Sequence, residues 1–183
     1  MTDLTILGIA GALRRASTNR QLLAEAFRVF GPAVRLEGDL RMPLYDGDLE
    51  DELGIPPEAQ RLADQIREAD CVVIATPEYN RSIPGVLKNA LDWVSRTKGG
   101  VWRDKPLAIV SAADGRPGGA RSQFALRLTM VTSRAAVLPA PEVLIGDSSH
   151  AFDTDGQLND PRAIKVLTEL MGALRAEAEK RRT

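Results

Sequence analysis

Short apolar runs alternate along the chain with longer segments in which apolar residues recur every three or four positions. Each run spans four to seven residues, a length typical of strands that are buried inside a sheet. The second run is less apolar than the others, so we expect it to lie at or near an edge of the sheet. The runs are Leu4–Ala10, Val34–Gly38, Asp70–Thr76, Pro106–Ser111 and Ala135–Leu138.

Helical spacing of apolar residues marks the segment that follows each run. Ser82 is a suitable N-cap for the third helix, with Pro84 in its first turn. Residues Asp39–Pro56 are predicted to form a long polar loop, and Val143–Ile145 to form a short extended segment. The helical patterns cover Leu22–Phe30, Pro57–Glu68, Val86–Val94, Phe124–Val131 and Asp160–Lys180.

Strands that alternate with helices predict an α/β fold with a parallel sheet covered by helices on both faces. Five strands fit a flavodoxin-like three-layer sandwich with strand order 2-1-3-4-5, in which the ligand lies between strands one and three. The loops after the first, third and fourth strands then meet at one edge of the sheet. We find no linker or internal repeat, so residues 1–183 are expected to form a single domain.

Composition excludes several classes of protein. The chain has 183 residues, 44% of them apolar, and a net charge of −1 without a long run of one sign. This argues against a nucleic-acid surface, which needs clustered basic residues. No basic, apolar N-terminal leader and no apolar run of about 20 residues occurs, so neither a signal peptide nor a membrane span is expected. Cys71 is the only cysteine, which suits a reducing cytoplasm.

The loop after the first strand carries candidate anion-binding chemistry. Gly11–Asn19 leads into a helix start, where free N–H groups and the helix dipole favour an anion. Arg14 and Arg15 add charge, and Ser17 adds a hydroxyl donor. From the residues alone, an ordinary helix cap with solvated arginines stays open beside a phosphate site. No Walker A or dinucleotide motif is present, and the single histidine, His150, gives a hydrolytic triad little support.

Three segments together resemble the NAD(P)H-dependent FMN reductase family, which includes quinone, azo-dye and chromate reductases. The second and most specific segment is Pro77–Trp93, PEYNRSIPGVLKNALDW. The first segment, Gly11–Asn19, matches the family pattern Gly-Ser-Leu-Arg-x-x-Ser-x-Asn. The third is the glycine-rich segment Ser111–Gln123, in which Asp114 and Arg116 are less typical of the family. The resemblance covers nearly the whole chain.

The resemblance implies a set of FMN-binding residues. Arg14, Ser17 and Asn19 match the phosphate-binding motif residue for residue, whereas Ala12 replaces the usual serine and leaves only its backbone N–H. One contact of about 1 kcal/mol is therefore expected to be missing. The isoalloxazine ring is expected to lie against Pro77, Glu78, Tyr79 and Asn80 on one loop and Ser111 and Gly115 on another.

The implied activity is hydride transfer from NADPH or NADH to FMN, followed by reduction of a quinone, azo compound, flavin or metal oxyanion in a ping-pong sequence. No side chain is expected to act as nucleophile or essential base, because the flavin carries the chemistry. A homodimer or homotetramer is also expected, with Trp93 and Trp102 as interface candidates, while a place in the core stays open for Trp93. Two alternatives stay open: a non-enzymatic FMN electron carrier, and a flavin-free binding module of the same fold.

Overall fold

The computed structural model describes residues 3–182 and contains a parallel sheet with helices on both faces. Five of the strands follow the order β2-β1-β3-β4-β5, and a sixth, β6, also pairs with β4. The predicted order is therefore confirmed. β5 pairs with the first part of β4, and β6 pairs with its last part. The strands are β1 (Thr5–Ala10), β2 (Val34–Gly38), β3 (Cys71–Thr76), β4 (Pro106–Ala112), β5 (Ala136–Val137) and β6 (Val143–Ile145).

The three central strands end at the same level. Ala10 lies opposite Ala75, and Thr76 lies opposite Ser111. All pairings are parallel, so the loops after these strands leave the same edge of the sheet. This register positions the candidate site.

Two apolar cores cover the sheet, one on each face. Helices α1 and α6 pack on one face, and α3 and α4 pack on the other. The helix predicted over Pro57–Glu68 is confirmed in its bounds, and the apolar residues that predict it, Ala59, Leu62, Ala63 and Ile66, are its buried ones. The helices are α1 (Thr18–Phe30), α2 (Gly47–Leu53), α3 (Pro57–Glu68), α4 (Gly85–Arg96), α5 (Ala120–Ser133) and α6 (Pro161–Arg182), with a 3₁₀ turn at Ser148–His150.

Helix α2 corrects the prediction of a continuous polar loop over Asp39–Pro56. Asp46 caps this helix by accepting a hydrogen bond from the N–H of Asp48. None of its residues is buried, and its one apolar pair, Leu49 and Leu53, is too short a pattern to indicate a helix. Glu50 anchors it to α4 through a salt bridge with Arg96.

The start of α4 was also predicted wrongly. The helix begins at Gly85 after Pro84, which makes no side-chain cap bond. Ser82 instead exchanges two backbone hydrogen bonds with Tyr79, each 3.0 Å long. Serine is common at both caps and turns, so the local sequence does not distinguish the two.

Helix α5 is present as predicted, but the apolar residues that indicated it lie on its exposed side. Phe124, Leu128 and Val131 are 60%, 75% and 69% exposed. The side that faces the protein is partly polar and consists of Ser122, Gln123, Leu126 and Met130. Among the described residues, no helix is long and apolar enough to cross a membrane.

Both tryptophans are core residues, which rules them out as interface candidates and confirms the core alternative for Trp93. Trp93 is fully buried, donates a 2.9 Å hydrogen bond from Nε1 to the carbonyl of Pro43, and meets the edge of the Tyr45 ring. Trp102 is 4% exposed. Neither indole is accessible to a partner chain.

Candidate functional site

A cavity of about 720 Å³ lies at the carboxyl ends of the central strands. The loops after β1, β3 and β4 line it, as the sequence predicts, and the 3₁₀ turn at Ser148–His150 adds a fourth wall. This volume lies within the usual range for small-molecule and cofactor sites. The site is therefore built where parallel sheets of this order bind ligands.

The N-terminus of α1 forms one end of the cavity. The Ser17 side chain caps the helix by accepting a 3.2 Å hydrogen bond from the N–H of Asn19, which leaves its hydroxyl proton free to donate. The guanidinium of Arg14 lines the cavity and has no hydrogen-bonding partner among residues 3–182. A helix N-terminus, a hydroxyl donor and an unpaired cation together suit a phosphate group.

Asn19 ties this end of the cavity to the end of β4. Its side chain is 1% exposed. Nδ2 donates to the carbonyl of Ala112 at 2.8 Å, and Oδ1 accepts from the N–H of Ala112 at 3.0 Å. The phosphate loop and the glycine-rich loop are thus held together by one buried amide.

The loop after β3 makes a tight turn beside the cavity. Asn80 and Arg81 both have left-handed backbone conformations, with φ of 49° and 65°. Such residues cost about 1–2 kcal/mol each. The turn is closed by the two hydrogen bonds between Tyr79 and Ser82, and it leaves Tyr79 53% exposed along the cavity. The turn therefore holds the Tyr79 side chain at the cavity.

Glu78 connects this loop to α5. Its Oε2 accepts a 3.1 Å hydrogen bond from the backbone N–H of Arg121, in the first turn of the helix. The guanidinium of Arg121 lies 3.8 Å from Oε1. The Glu78 carboxylate is consequently engaged at a helix N-terminus, where negative charge is favoured.

A buried network of hydrogen bonds holds the glycine-rich loop against α5 and β6. Ser111 is fully buried, donates from Oγ to the carbonyl of Gly118 at 2.6 Å, and accepts from Nε2 of Gln123 at 2.9 Å. Gln123 also donates to the carbonyl of Val143 at 2.8 Å. A Cβ on Gly119 would lie only 2.8 Å from the Cβ of Ser111. Close backbone approach is thus a requirement of this loop.

Asp114 is fixed on the wall of the cavity by the 3₁₀ turn. Its Oδ1 accepts from the hydroxyl of Ser148 at 2.9 Å and from the N–H of Ser149 at 3.1 Å. Thr18, at the start of α1, donates to the Ser148 hydroxyl at 3.4 Å. Ser148 and Ser149 are not among the residues that the sequence motifs predict for the site. They lie far from the three motifs along the chain, and no local pattern indicates that their turn folds back onto the cavity.

The structure places the ten expected FMN-binding residues in two groups. The larger group lines the cavity, and the smaller group adjoins it: Ala12 and Ser111 are buried, and Asn80 lies in the tight turn. The ring or phosphate contacts expected of each residue stay predictions. The cavity-lining group is Arg14, Ser17, Asn19, Pro77, Glu78, Tyr79 and Gly115.

The other candidate side chains add no reactive group to the cavity. Cys71 lies inside β3, where burial and then the nearby Asp70 raise the pKa of its thiol to about 12. His150 is exposed, and its hydrogen bond to Asp147 raises its pKa. Among residues 3–182, no group of three histidine, cysteine, aspartate or glutamate side chains is arranged to hold a metal ion.

The donor set and the volume of the cavity fit FMN. The phosphate would lie at Arg14, Ser17 and the N-terminus of α1. Tyr79 and Gly115 would border the ring. Gly115 is not crowded, because a Cβ there would meet only Pro117 Cδ, at 3.6 Å.

The strand order and the position of the cavity define a flavodoxin-like protein. Comparison with known proteins agrees with this class. A model of the NADPH-dependent FMN reductase family matches residues 4–150. The chain is 43% identical to an NAD(P)H-dependent FMN reductase of Pseudomonas aeruginosa, over 94% of each protein. It is 39% identical to the quinone reductase of Escherichia coli K12, over 90% of each protein.

The solved structure of FerB, a flavoenzyme NAD(P)H:(acceptor) oxidoreductase from Paracoccus denitrificans, is also similar. It has a TM-score of 0.86 and 31% sequence identity, and the match covers 97% of this chain and 98% of FerB. The chain belongs to the NADPH-dependent FMN reductase family. It is therefore an oxidoreductase of the FMN reductase type, with FMN as its cofactor and NAD(P)H as its reductant.

Proposed function

We propose that this protein reduces quinones, azo compounds, free flavins or metal oxyanions with electrons taken from NADPH or NADH. The observation that carries the proposal is that one cavity is lined by Arg14 and the α1 N-terminus together with Tyr79 and Gly115. One FMN-binding domain spanning residues 1–183 stays part of the proposal. The names of the Escherichia coli and Paracoccus denitrificans relatives support a quinone or similar acceptor.

Each part of the cavity has a role in this proposal. Arg14 and Ser17 hold the phosphate by charge-assisted and hydroxyl hydrogen bonds. Tyr79 and the turn that carries it shape the face on which nicotinamide and acceptor stack. Bound FMN supplies two-electron chemistry, accepting a hydride from NAD(P)H and passing two electrons to the acceptor. The chain itself binds, orients and shields, and it contributes no nucleophile.

A ping-pong sequence follows if both substrates use the same face of the ring. The oxidised nicotinamide nucleotide then leaves before the acceptor enters. The small residues Ala113 and Gly115 line the cavity and leave space for stacking at about 3–3.5 Å. Parallel double-reciprocal plots at several fixed quinone concentrations are the expected result, and intersecting lines would contradict it.

The absorption spectrum of the purified protein tests the proposal directly. A flavin spectrum, bleached by anaerobic NADPH or NADH at least as fast as steady-state quinone turnover, is expected. Bleaching over many minutes by either nucleotide, but quickly by a separate reductase, would favour the electron-carrier alternative. A colourless protein that takes up no added FMN would favour the flavin-free module.

A homodimer or homotetramer is the proposed assembly. The exposed apolar row of α5, formed by Phe124, Leu128 and Val131, supports it, because a contiguous apolar patch is usually covered by a partner. This row replaces the buried tryptophans as the expected interface. The free, buried Cys71 agrees with a reducing compartment, and we propose the cytoplasm as the place of action.

A further inference from the structure

The charges that line the cavity differ in how they are compensated. Glu78 and Arg121 pair with each other. Arg14 and Asp114 have no ion-pair partner within residues 3–182. The cavity wall therefore carries one positive charge on the loop after β1 and one negative charge on the glycine-rich loop that no salt bridge neutralises. Asp114 does act on the exposed His150, whose pKa it helps to raise.

Asp114 is held in place although it is solvent-accessible. Both of its hydrogen bonds, from Ser148 and Ser149, go to Oδ1, and no residue of the described chain donates to Oδ2. Ser148 is 3% exposed, and its backbone N–H donates to the carbonyl of Ala113 at 3.3 Å. The carboxylate is thus anchored to a buried residue and cannot swing away from the cavity without breaking two bonds.

The fixed negative charge of Asp114 interacts electrostatically with any change in the charge of a bound flavin. A hydride carries two electrons and one proton, so its transfer to a neutral flavin ring adds one negative charge to that ring. The Asp114 carboxylate disfavours this added charge. The sign of a Coulomb interaction does not depend on distance. The Asp114 carboxylate therefore opposes reduction of the flavin at any separation between the two.

Building on the proposed function, we propose that Asp114 tunes the bound flavin by lowering its reduction potential. The reduced protein becomes a stronger reductant and passes electrons to acceptors of lower potential. Asp114 acts as an electrostatic residue, not as an acid or base, and it needs no movement during turnover. Ser148 and Ser149 are positioning residues, because they fix the carboxylate on the wall.

Asp114→Asn tests the proposal in the FMN-loaded protein. The variant keeps the shape and an oxygen that accepts from Ser148 and Ser149, so the fold is expected to survive. The measurements are the two-electron midpoint potential of bound FMN and the dissociation constant of oxidised FMN. The potential is expected to rise by about 15–30 mV, equivalent to three- to tenfold tighter binding of reduced relative to oxidised flavin.

Asp147→Asn is the matched control. Asp147 is an exposed carboxylate of the neighbouring loop that pairs with His150 and does not line the cavity. Removing the Asp147 charge is expected to shift the midpoint potential of bound FMN by less than a third of the shift in Asp114→Asn. Because the Asp147 carboxylate raises the pKa of His150, both variants are measured at two pH values, and the larger shift of Asp114→Asn is expected at both.

Varying the salt concentration shows whether the shift in Asp114→Asn arises from the lost charge or from altered hydrogen bonds. Because Asp114 is accessible to solvent, the difference between wild type and Asp114→Asn is expected to shrink as salt rises from low to high concentration. A difference that does not depend on salt, or a shift no larger than that of the control, would overturn the proposal. If the wild-type protein binds no FMN, the proposed function fails instead, so the two failures are distinguishable.

Discussion

The side-chain amide of Asn19 pairs with the peptide group of Ala112 through two hydrogen bonds, one in each direction. This contact joins the first turn of α1 to the last residue of β4, 93 positions later in the chain. Both partners line the cavity, one at the start of α1 and the other where β4 passes into the glycine-rich loop. The shape of the site therefore depends on a buried pair that contains no charged group.

Asn19→Ala is expected to weaken both folding and cofactor binding. The substitution leaves the N–H and C=O of Ala112 without their partners, which costs about 2–4 kcal/mol of unfolding free energy. Because both walls then shift, affinity is expected to fall for FMN and riboflavin alike. Urea unfolding of the apoprotein and flavin fluorescence titration measure the two effects.

Asn89→Ala is the matched control for this change. Asn89 also pairs with backbone in both directions, through Tyr45 N and the carbonyl of Pro43, but it lies on α4 away from the cavity. A similar loss of stability with unchanged flavin affinity is expected. If Asn19→Ala weakened FMN binding but not riboflavin binding, its amide would instead contact the phosphate.

Arg14→Ala is expected to lower FMN affinity and leave riboflavin affinity nearly unchanged. A charge-assisted contact with phosphate is worth about 1.5–3 kcal/mol, or roughly 10- to 150-fold in affinity. Titration of the apoprotein with each flavin measures the difference. Arg134→Ala, an exposed arginine at the end of α5, serves as the control, and equal losses for both flavins would show that Arg14 does not contact phosphate.

Gly119→Ala is expected to destabilise the protein by about 3 kcal/mol. The added Cβ would lie 2.8 Å from Ser111 Cβ and 2.9 Å from its Oγ, at a φ of +89°. The cost combines left-handed backbone strain with overpacking. Gly100→Ala, with a φ of +55° and open space around it, carries the strain alone and is expected to cost about 1 kcal/mol. Equal costs in chemical denaturation would rule out the steric contribution.

Leu128→Lys is expected to dissociate the proposed oligomer. Leu128 is 75% exposed in the single chain, so the change costs little stability there, but it places a charge inside the expected interface. Light scattering at micromolar concentration measures the assembly. Ala173→Lys, on the exposed side of α6, adds the same charge elsewhere and is expected to leave the oligomer intact. A wild-type protein that is monomeric would reject the assembly outright.

Cys71 is expected to resist thiol reagents in the folded protein. Its pKa of about 12 keeps the thiol protonated at pH 8, and its complete burial blocks access. Ellman's reagent is expected to titrate one thiol in denaturant and essentially none under native conditions. Rapid labelling without denaturant would contradict the burial of β3.

The sequence determined those parts of the fold in which burial and periodicity agree. Helix α3 was predicted at Pro57–Glu68 with its four buried residues, because one face of this helix is apolar and the other polar. Helix α2 buries no residue, and α5 turns its apolar row outward and its polar Ser122 and Gln123 inward. Apolar periodicity does not report the fold of such helices, because they do not face the core with their apolar side.

The candidate site divides in the same way. Its phosphate loop and its PEYN turn are continuous segments, so local motifs indicated them from the sequence. Only the tertiary structure brought Ser148 and Ser149 onto Asp114, and paired Asn19 with Ala112. Contacts between residues this distant in the chain depend on how the strands pair and how β6 lies on β4, and no local spacing of residues encodes that arrangement.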